Sequence, residues 1–352
     1  MKRVLYLGWI GHNNLGDELL WNLFNRLSNL YFGQEEIEII PSLKRKDLDL
    51  NKYDSIVLGG GSVLLPKYIH LLHKGIQQEK KVLIWGSGLD WIKKNDLDLM
   101  ISNGKPLLHE PINKEYADIL KEIFARASFA GVRGPLTKKA LEFLGVSGDH
   151  IRIIGDPGML LKQNNASKTK ESEKRIGLNW GTSHNKIYGN NETKVEDGLV
   201  EVSKNLIKRG YKILIYGVWT NDLEPCQRLF DKINDSSNVI LDKTLYEEQQ
   251  LITVLSSCTL TINFKLHANL LSLAANVPSV LLGYRFKIFD LAYLLGLEKY
   301  IVSTNSSDLE TEILKRVHLI EQNHSDIIKD YKERQKAFNP LMIEPFNRGL
   351  IT

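Results

Sequence analysis

The sequence predicts an α/β protein of two Rossmann-like domains, each carrying a parallel sheet. Three observations lead there. Short, near-continuous apolar runs recur along the chain, the mark of strands covered on both faces. Helical patterns alternate with them, as parallel strands joined by crossover helices require. The 352 residues exceed one ordinary core and suit two domains of roughly 150 to 180 residues each.

In the first half the runs are RVLYLGW, EIEIIP, DSIVLGG, KVLIWGSG, SFAGVR and IRIIGDP, each bounded by Gly, Pro, Asp or Asn. Helix-like stretches between them include GDELLWNLFNRLSNL and GPLTKKALEFLGV. In the latter, Pro135 suits the first turn and Gly145 the C-terminal cap. Residues 1–161 are the expected N-terminal domain. Residues 162–174, polar and without apolar period, are the expected linker. A second series follows in 175–352: RIGLNWG, YKILIYGVW, NVILD, LTINFK and PSVLLGY, with helical patterns around GLVEVSKNLIKRG, PCQRLFDKI, EEQQLITVLSS and HANLLSLAAN. The tail from Asp308 to Asn339 has i, i+3, i+4 apolar spacing and reads as one or two closing helices of the C-terminal domain. Open parallel sheets collect ligands beyond the carboxyl ends of their strands, so functional residues are expected in the loops that follow strands.

Composition narrows the class. Apolar residues make up 43% and charged residues 25%, a soluble globular balance. A net charge of +4 from 46 basic and 42 acidic residues gives no reason to expect nucleic acid. The clusters LKRKD (Leu43 to Asp47) and KTKESEKR (Lys168 to Arg175) mix signs and read as solvated loops. Cys226 and Cys258 lie far apart and form no CxxC pair, so neither a disulfide framework nor a zinc knuckle is expected. The start of the chain lacks the features of a signal peptide, and no run of about 18 apolar residues occurs. A cytoplasmic protein is expected, with peripheral attachment at the inner membrane face as the variant of that reading.

Four segments carry candidate chemistry. GWIGHNNLGDELL, from Gly8, follows the first strand, but its glycines at 8, 11 and 16 do not have the G-x-G-x-x-G spacing of a dinucleotide loop. His12, Asn13 and Asn14 are left as hydrogen-bonding groups, and Asp17 and Glu18 read first as acids complementing the helix dipole. VLGGGSVLLP sets Gly59, Gly60, Gly61 and Ser62 after a strand, where backbone amides and a hydroxyl can meet an anion or simply make a tight packed turn. No lysine stands in Walker spacing, which excludes a P-loop. SFAGVRGPLT puts Arg133 at a strand end, where a guanidinium suits a carboxylate or phosphate. IGDPGML leaves Asp156 before a proline turn.

The fourth segment is the sharpest: LTINFKLHANLLSLAANVPSVLLGYRFK, Leu260 to Lys287. His267 opens a small-residue helix after a strand. The positive end of a helix dipole favours neutral imidazole, so a histidine there suits general acid–base work. Lys265 reaches the same space and can bind an anion, and Tyr284, Arg285 and Lys287 add polar groups after the next strand.

Taken together, NNLGDELL, DSIVLGGGSVL, WGSGL, VRGPLT, IGDPGML and KLHANLLSLAANVPSVLLGY, from about Gly8 to Leu297, resemble the polysaccharide pyruvyl transferase family. The resemblance implies a fold similar to B-type glycosyltransferases, phosphoenolpyruvate as donor, and a sugar of a surface or cell-wall polysaccharide, free or lipid-linked, as acceptor. The product would be a pyruvate ketal with release of phosphate, with no cofactor and no metal. It implies His267 and Asp17 as catalytic groups, with Asp17 as acceptor ligand or second base. Arg133, Lys265, Leu266, Gly60, Gly61 and Ser62 would hold phosphoenolpyruvate, and Asn14, Tyr284 and Lys287 would face the acceptor or line the cleft. Lys265 stands where the family often has Arg, and SVLLPKYIH replaces a continuation with Gln and Asp. Two alternatives stay open. One is a nucleotide-sugar glycosyltransferase, for which Asp242 after NVILD would have to serve the ribose. The other is a non-catalytic glycan-binding relative.

Overall fold

Each apolar run named above is a strand in the computed structural model, which describes residues 1–33, 36–42, 48–106, 113–161 and 174–352. The segment 162–174 lies outside the described residues except for Lys174, as do LKRKD and most of KTKESEKR. The chain divides into two units: Met1–His12, Asp17–Leu160 and Gln335–Thr352 form the first, and Asn13–Gly16 with Leu161–Arg334 the second.

In the first unit, β1 (Lys2–Leu7), β2 (Ile37–Pro41), β3 (Ser55–Leu58), β4 (Lys81–Ser87), β5 (Phe129–Val132) and β6 (Arg152–Ile153) form one parallel sheet in the order β2-β1-β3-β4-β5-β6. Its helices are α1 (Leu15–Tyr31), which begins in the residues grouped with the second unit, α2 (Pro66–Gln77), α3 (Lys94–Ile101), α4 (Lys114–Arg126) and α5 (Pro135–Phe143). All four residues of β3 are buried, which is why that strand reads as an unbroken apolar run. Pro135 opens α5 as expected, its fixed φ suiting a first helical position. The strand order reverses between β1 and β3, and the loops beyond them carry Gly8–His12 and Gly59–Ser62.

In the second unit, β7 (Arg175–Asn179), β8 (Lys212–Tyr216), β9 (Val239–Asp242), β10 (Leu260–Asn263), β11 (Ser279–Gly283) and β12 (Ile301–Ser303) form a parallel sheet ordered β12-β11-β10-β7-β8-β9. This is the dinucleotide-fold order, with its reversal between β7 and β10. Its helices are α6 (Glu192–Lys208), α7 (Leu223–Ile233), α8 (Glu248–Leu255), α9 (Leu266–Ala274) and α10 (Phe286–Leu295). The last strand has only three residues and escaped the sequence reading for that reason. The tail is one long helix, α11 (Leu309–Asn347), kinked where Asn323 leaves helical angles.

The expected boundaries need correcting at two places. Gln335–Thr352 belongs to the first unit and does not close the C-terminal domain. The Phe346 ring packs at 5.3 Å from Phe24 and 5.7 Å from Trp85, and the Trp85 indole donates to the Met342 carbonyl at 2.8 Å. Ser55 donates to the Ile351 carbonyl at 2.6 Å, Lys81 to that of Thr352, and Arg152 grips the Glu344 carboxylate with both guanidinium nitrogens. Conversely, Asn13–Gly16 groups with the second unit. The Leu15 amide donates to the Val218 carbonyl at 3.0 Å, and Asn14 makes an antiparallel bridge with Trp219.

Candidate active site

The sheet of the second unit places its most reactive loop at its own reversal point. β10 ends at Asn263, Phe264 turns into the core, and α9 begins at Leu266 with Lys265 in extended conformation as its N-cap. Both backbone groups of Lys265 are tied down. Its amide donates to Asn179 Oδ1 at 2.9 Å, at the end of β7, and its carbonyl accepts from Asn269 Nδ2 at 3.0 Å. Behind this turn runs a buried polar chain. Tyr216 donates to Asn263 Oδ1 at 2.9 Å, Asn263 to Thr261 Oγ1 at 2.8 Å, and Thr261 meets Ser272 at 2.7 Å. Buried polar groups satisfied this fully hold one geometry. Leu266, expected to touch the donor, is buried instead and anchors the turn in the core.

Lys265 has a partner that the sequence reading missed. Its ammonium lies 3.0 Å from Asp222 Oδ1 and donates to the Thr182 carbonyl at 2.6 Å, while the Trp219 and Phe264 ring centroids lie 5.1 and 5.4 Å away. Asp222 is wholly buried and also accepts from the amides of Thr182, at 3.2 Å, and Val218, at 3.3 Å. Burial pushes its carboxyl up from the usual range, and the Lys265 ammonium opposes that shift. The trace of this arrangement in the sequence is glycine. A Cβ on Gly181 would stand 2.0 Å from Asp222 Oδ1, so NWG after β7 makes room for the carboxylate. Lys265, expected to bind an anion, is therefore half of a buried ion pair.

His267 is the second residue of α9, as expected. Gly16 lies against its imidazole: a Cβ there would come within 1.9 Å of Nδ1. Asn14 Oδ1 accepts the Gly16 amide at 3.1 Å, so the side chain expected to face the acceptor serves as a local cap and holds Gly16 against His267. Tyr284, expected beside the acceptor, is a core residue, 2% exposed and stacked on Phe264 at 4.2 Å. Lys287 rides on its ring at 5.2 Å.

The other expected residues lie in the first unit. Asp17 stands in the first turn of α1, as expected, and its neighbour Glu18 reaches back to the loop before the helix, where its Oε1 accepts the amides of Gly11, at 2.7 Å, and His12, at 3.3 Å. Two phenols sense the Asp17 charge. Burial and then Asp17 push the Tyr68 hydroxyl up to about 12, and the same causes raise that of Tyr6 further. The Tyr68 hydroxyl donates to the Gly8 carbonyl at 3.2 Å. The glycine loop is more tightly packed than an anion cradle would be. A Cβ on Gly59 would meet the Tyr6 hydroxyl at 2.1 Å, and one on Gly60 would meet Pro157 at 3.0 Å. The Gly60 amide is already given to Tyr6. Arg133, expected at an open strand end, is 1% exposed, donating to the Leu89 carbonyl at 2.9 Å and reaching Ser62 Oγ at 3.4 Å. Asp156 is buried and makes a turn through the Gly158 amide at 2.9 Å.

Asp242, the one acid at the expected ribose position, is engaged locally by the Thr244 amide at 2.9 Å and the Tyr246 hydroxyl at 2.7 Å. Among the described residues no group of three or more His, Cys, Asp or Glu could hold a metal ion, and no helix is long and apolar enough to cross a membrane.

Two Rossmann-like units with parallel six-stranded sheets are the architecture of B-type glycosyltransferases and the related epimerases, and solved structures show the likeness. The S. aureus MnaA–UDP co-structure matches with a TM-score of 0.60 at 11% identity, over 97% of this chain and 92% of that one. WaaG, a glycosyltransferase involved in lipopolysaccharide biosynthesis, matches with 0.55 at 9% identity over 99% of both chains. The UDP-GlcNAc 2-epimerase of Neisseria meningitidis bound to UDP-GlcNAc matches with 0.56 at 10% identity over 94% of both. At such identities the likeness is one of fold. The family is decided by sequence: the model for polysaccharide pyruvyl transferases matches residues 14–285, and the chain belongs to that family. The amylovoran biosynthesis protein AmsJ of Erwinia amylovora is 22% identical over 241 residues, which are 62% of this chain and 57% of that protein.

Proposed function

We propose that the protein transfers the pyruvate moiety of phosphoenolpyruvate to a sugar of a surface or cell-wall polysaccharide as a ketal, releasing phosphate. The observation that carries the reading is the Lys265–Leu266–His267 turn, set at the strand-order reversal of the second sheet with Gly16 against the imidazole. A cation and an acid–base group side by side suit a small anionic donor that must be protonated on carbon.

In this reaction the methylene carbon of the donor takes a proton, and the adjoining carbon, bearing carboxylate and phosphate, becomes electrophilic. One sugar hydroxyl adds there and gives up its proton; a second hydroxyl displaces phosphate and its proton leaves with the phosphate. Of the two hydroxyl protons, one balances the new methyl group and one the phosphate released. His267 delivers and recovers the proton, and Lys265 holds a donor anion. The donor is itself the activated species, so neither cofactor nor metal enters the reaction. The work belongs in the cytoplasm, where phosphoenolpyruvate is made, at the inner membrane face if the acceptor is lipid-linked.

The test is phosphate release and a ketal mass increment on incubation with phosphoenolpyruvate and a panel of glycans. His267→Ala should lower turnover by about 100-fold or more. Full activity in that variant removes His267 from the chemistry. Consumption of a nucleotide sugar without phosphate release from phosphoenolpyruvate would replace the reading altogether.

A further inference from the structure

We infer that Asp222 is a positioning residue for donor binding: it holds the Lys265 ammonium in its charged form and aims it beyond the carboxyl ends of β7 and β10. The inference rests on the reading of Lys265 as a donor contact and adds the residue that makes a lysine workable there. Lys265 has a side chain only 12% exposed, and enclosing an ammonium is costly unless a countercharge meets it. Asp222 supplies it at 3.0 Å, and the Thr182 carbonyl takes a second ammonium hydrogen at 2.6 Å. Among the described residues these are the polar partners of that ammonium, which leaves one hydrogen for an anion. The carboxylate is held in turn by the Thr182 and Val218 amides, so the loops after β7, β8 and β10 converge on one ion pair. A guanidinium keeps its charge unaided and grips an anion as a fork; an ammonium has neither property, and Asp222 provides the first.

The other titratable groups around this pair are few. Cys226 on α7 is pushed up to about 12, by burial first and then by the Asp222 charge, and stays a thiol. His267 follows on α9, Glu192 binds the Thr182 hydroxyl at 2.8 Å, Arg285 approaches Ser183 Oγ at 3.4 Å, and His184 meets the Trp219 ring edge. Asp222 is the one that touches the ammonium.

Calorimetric titration of the full chain with phosphoenolpyruvate between pH 7 and 9 tests this. Wild type should bind with nearly constant affinity. Asp222→Asn should bind more weakly, and the loss should grow about fivefold or more toward pH 9 as the unpaired ammonium gives up its proton. The double variant Asp222→Asn, Lys265→Arg should recover a flat profile, which a merely structural role of Asp222 would not produce. No binding by wild type would remove the donor reading itself. Wild-type binding with an Asp222→Asn profile that superimposes on it would overturn the role of Asp222 alone. If Asp222→Asn does not fold, nitrogen-resolved NMR of wild type decides: slowly exchanging Lys265 ammonium hydrogens that shift on adding phosphoenolpyruvate are expected, and a rapidly exchanging signal that does not shift overturns the inference.

Discussion

Gly16 and His267 depend on each other. The imidazole occupies the space where any other residue at 16 would carry its Cβ, 1.9 Å from Nδ1, so Gly16→Ala must move the histidine. A displacement of about 1 Å at a catalytic group costs on the order of 100-fold in rate. We expect that loss in turnover with donor affinity little changed, measured by steady-state kinetics; unchanged turnover would mean the imidazole does not act from this position. Gly59→Ala is the contrasting case in the first unit. Its Cβ would meet the Tyr6 hydroxyl at 2.1 Å inside the core, and overpacking there costs roughly 1–3 kcal/mol. Urea denaturation should show the loss. Both glycines look alike as letters and differ in what they touch.

The C-terminal segment is the element whose role changed most. Phe346 fills a pocket between Phe24 and Trp85 in the first unit, and removing a buried aromatic ring costs about 3 kcal/mol or more. Phe346→Ala should therefore lower the urea midpoint strongly, whereas Phe346→Leu, which keeps most of the volume, should lose about half as much; equal, small effects would show that the segment adds little. Glu344 adds a pH dependence. The Arg152 hydrogen bond, and then Arg348, hold its carboxyl down at about 2, below the usual 4.5. A carboxyl lowered in the folded state stabilises fully above its unfolded pKa, and that stabilisation is lost as pH falls from about 4.5 toward 2. Glu344→Gln should be less stable than wild type at pH 7, by about 1 kcal/mol for a partly exposed pair, and indistinguishable from it near pH 2.

Over the whole molecule, charge sets a background for ligand capture. The chain carries +4 at pH 7 and the proposed donor is strongly anionic, so donor affinity should fall several-fold between about 50 and 500 mM salt. Calorimetry at two ionic strengths checks this, and a salt-independent affinity would confine the attraction to the enclosed Lys265–Asp222 pair. The two sheets also differ in design. The first reverses order at β1 and β3, the second at β7 and β10, and in each the loops at the reversal carry candidate chemistry, as open parallel sheets require.

Much of this was legible in the sequence. Central strands buried on both faces must be apolar at nearly every position, and the partly exposed β2, β6 and β9 still carry short apolar runs, so among the described residues eleven of twelve strands could be read directly, and the three-residue β12 was too short to stand out. The start of α9 at Lys265–His267 was legible for a similar reason: a polar pair between an apolar strand and an apolar helix has one place to go. Asp222 was not, because TNDLEP looks like any turn, and its meaning comes from two loops forty or more residues away in either direction along the chain. Nor was the packing of Tyr284 and Arg133, since polar letters read as surface until partners enclose them. By itself the sequence determined the alternation of elements, the two parallel sheets and the family, all of which rest on local pattern and order. Only the tertiary structure decided that the C-terminal segment completes the first unit, that Asn13–Gly16 serves the second, and that Lys265 is half of a buried pair. Those are contacts between segments remote in the chain, and local pattern carries no record of them beyond the glycines that make room.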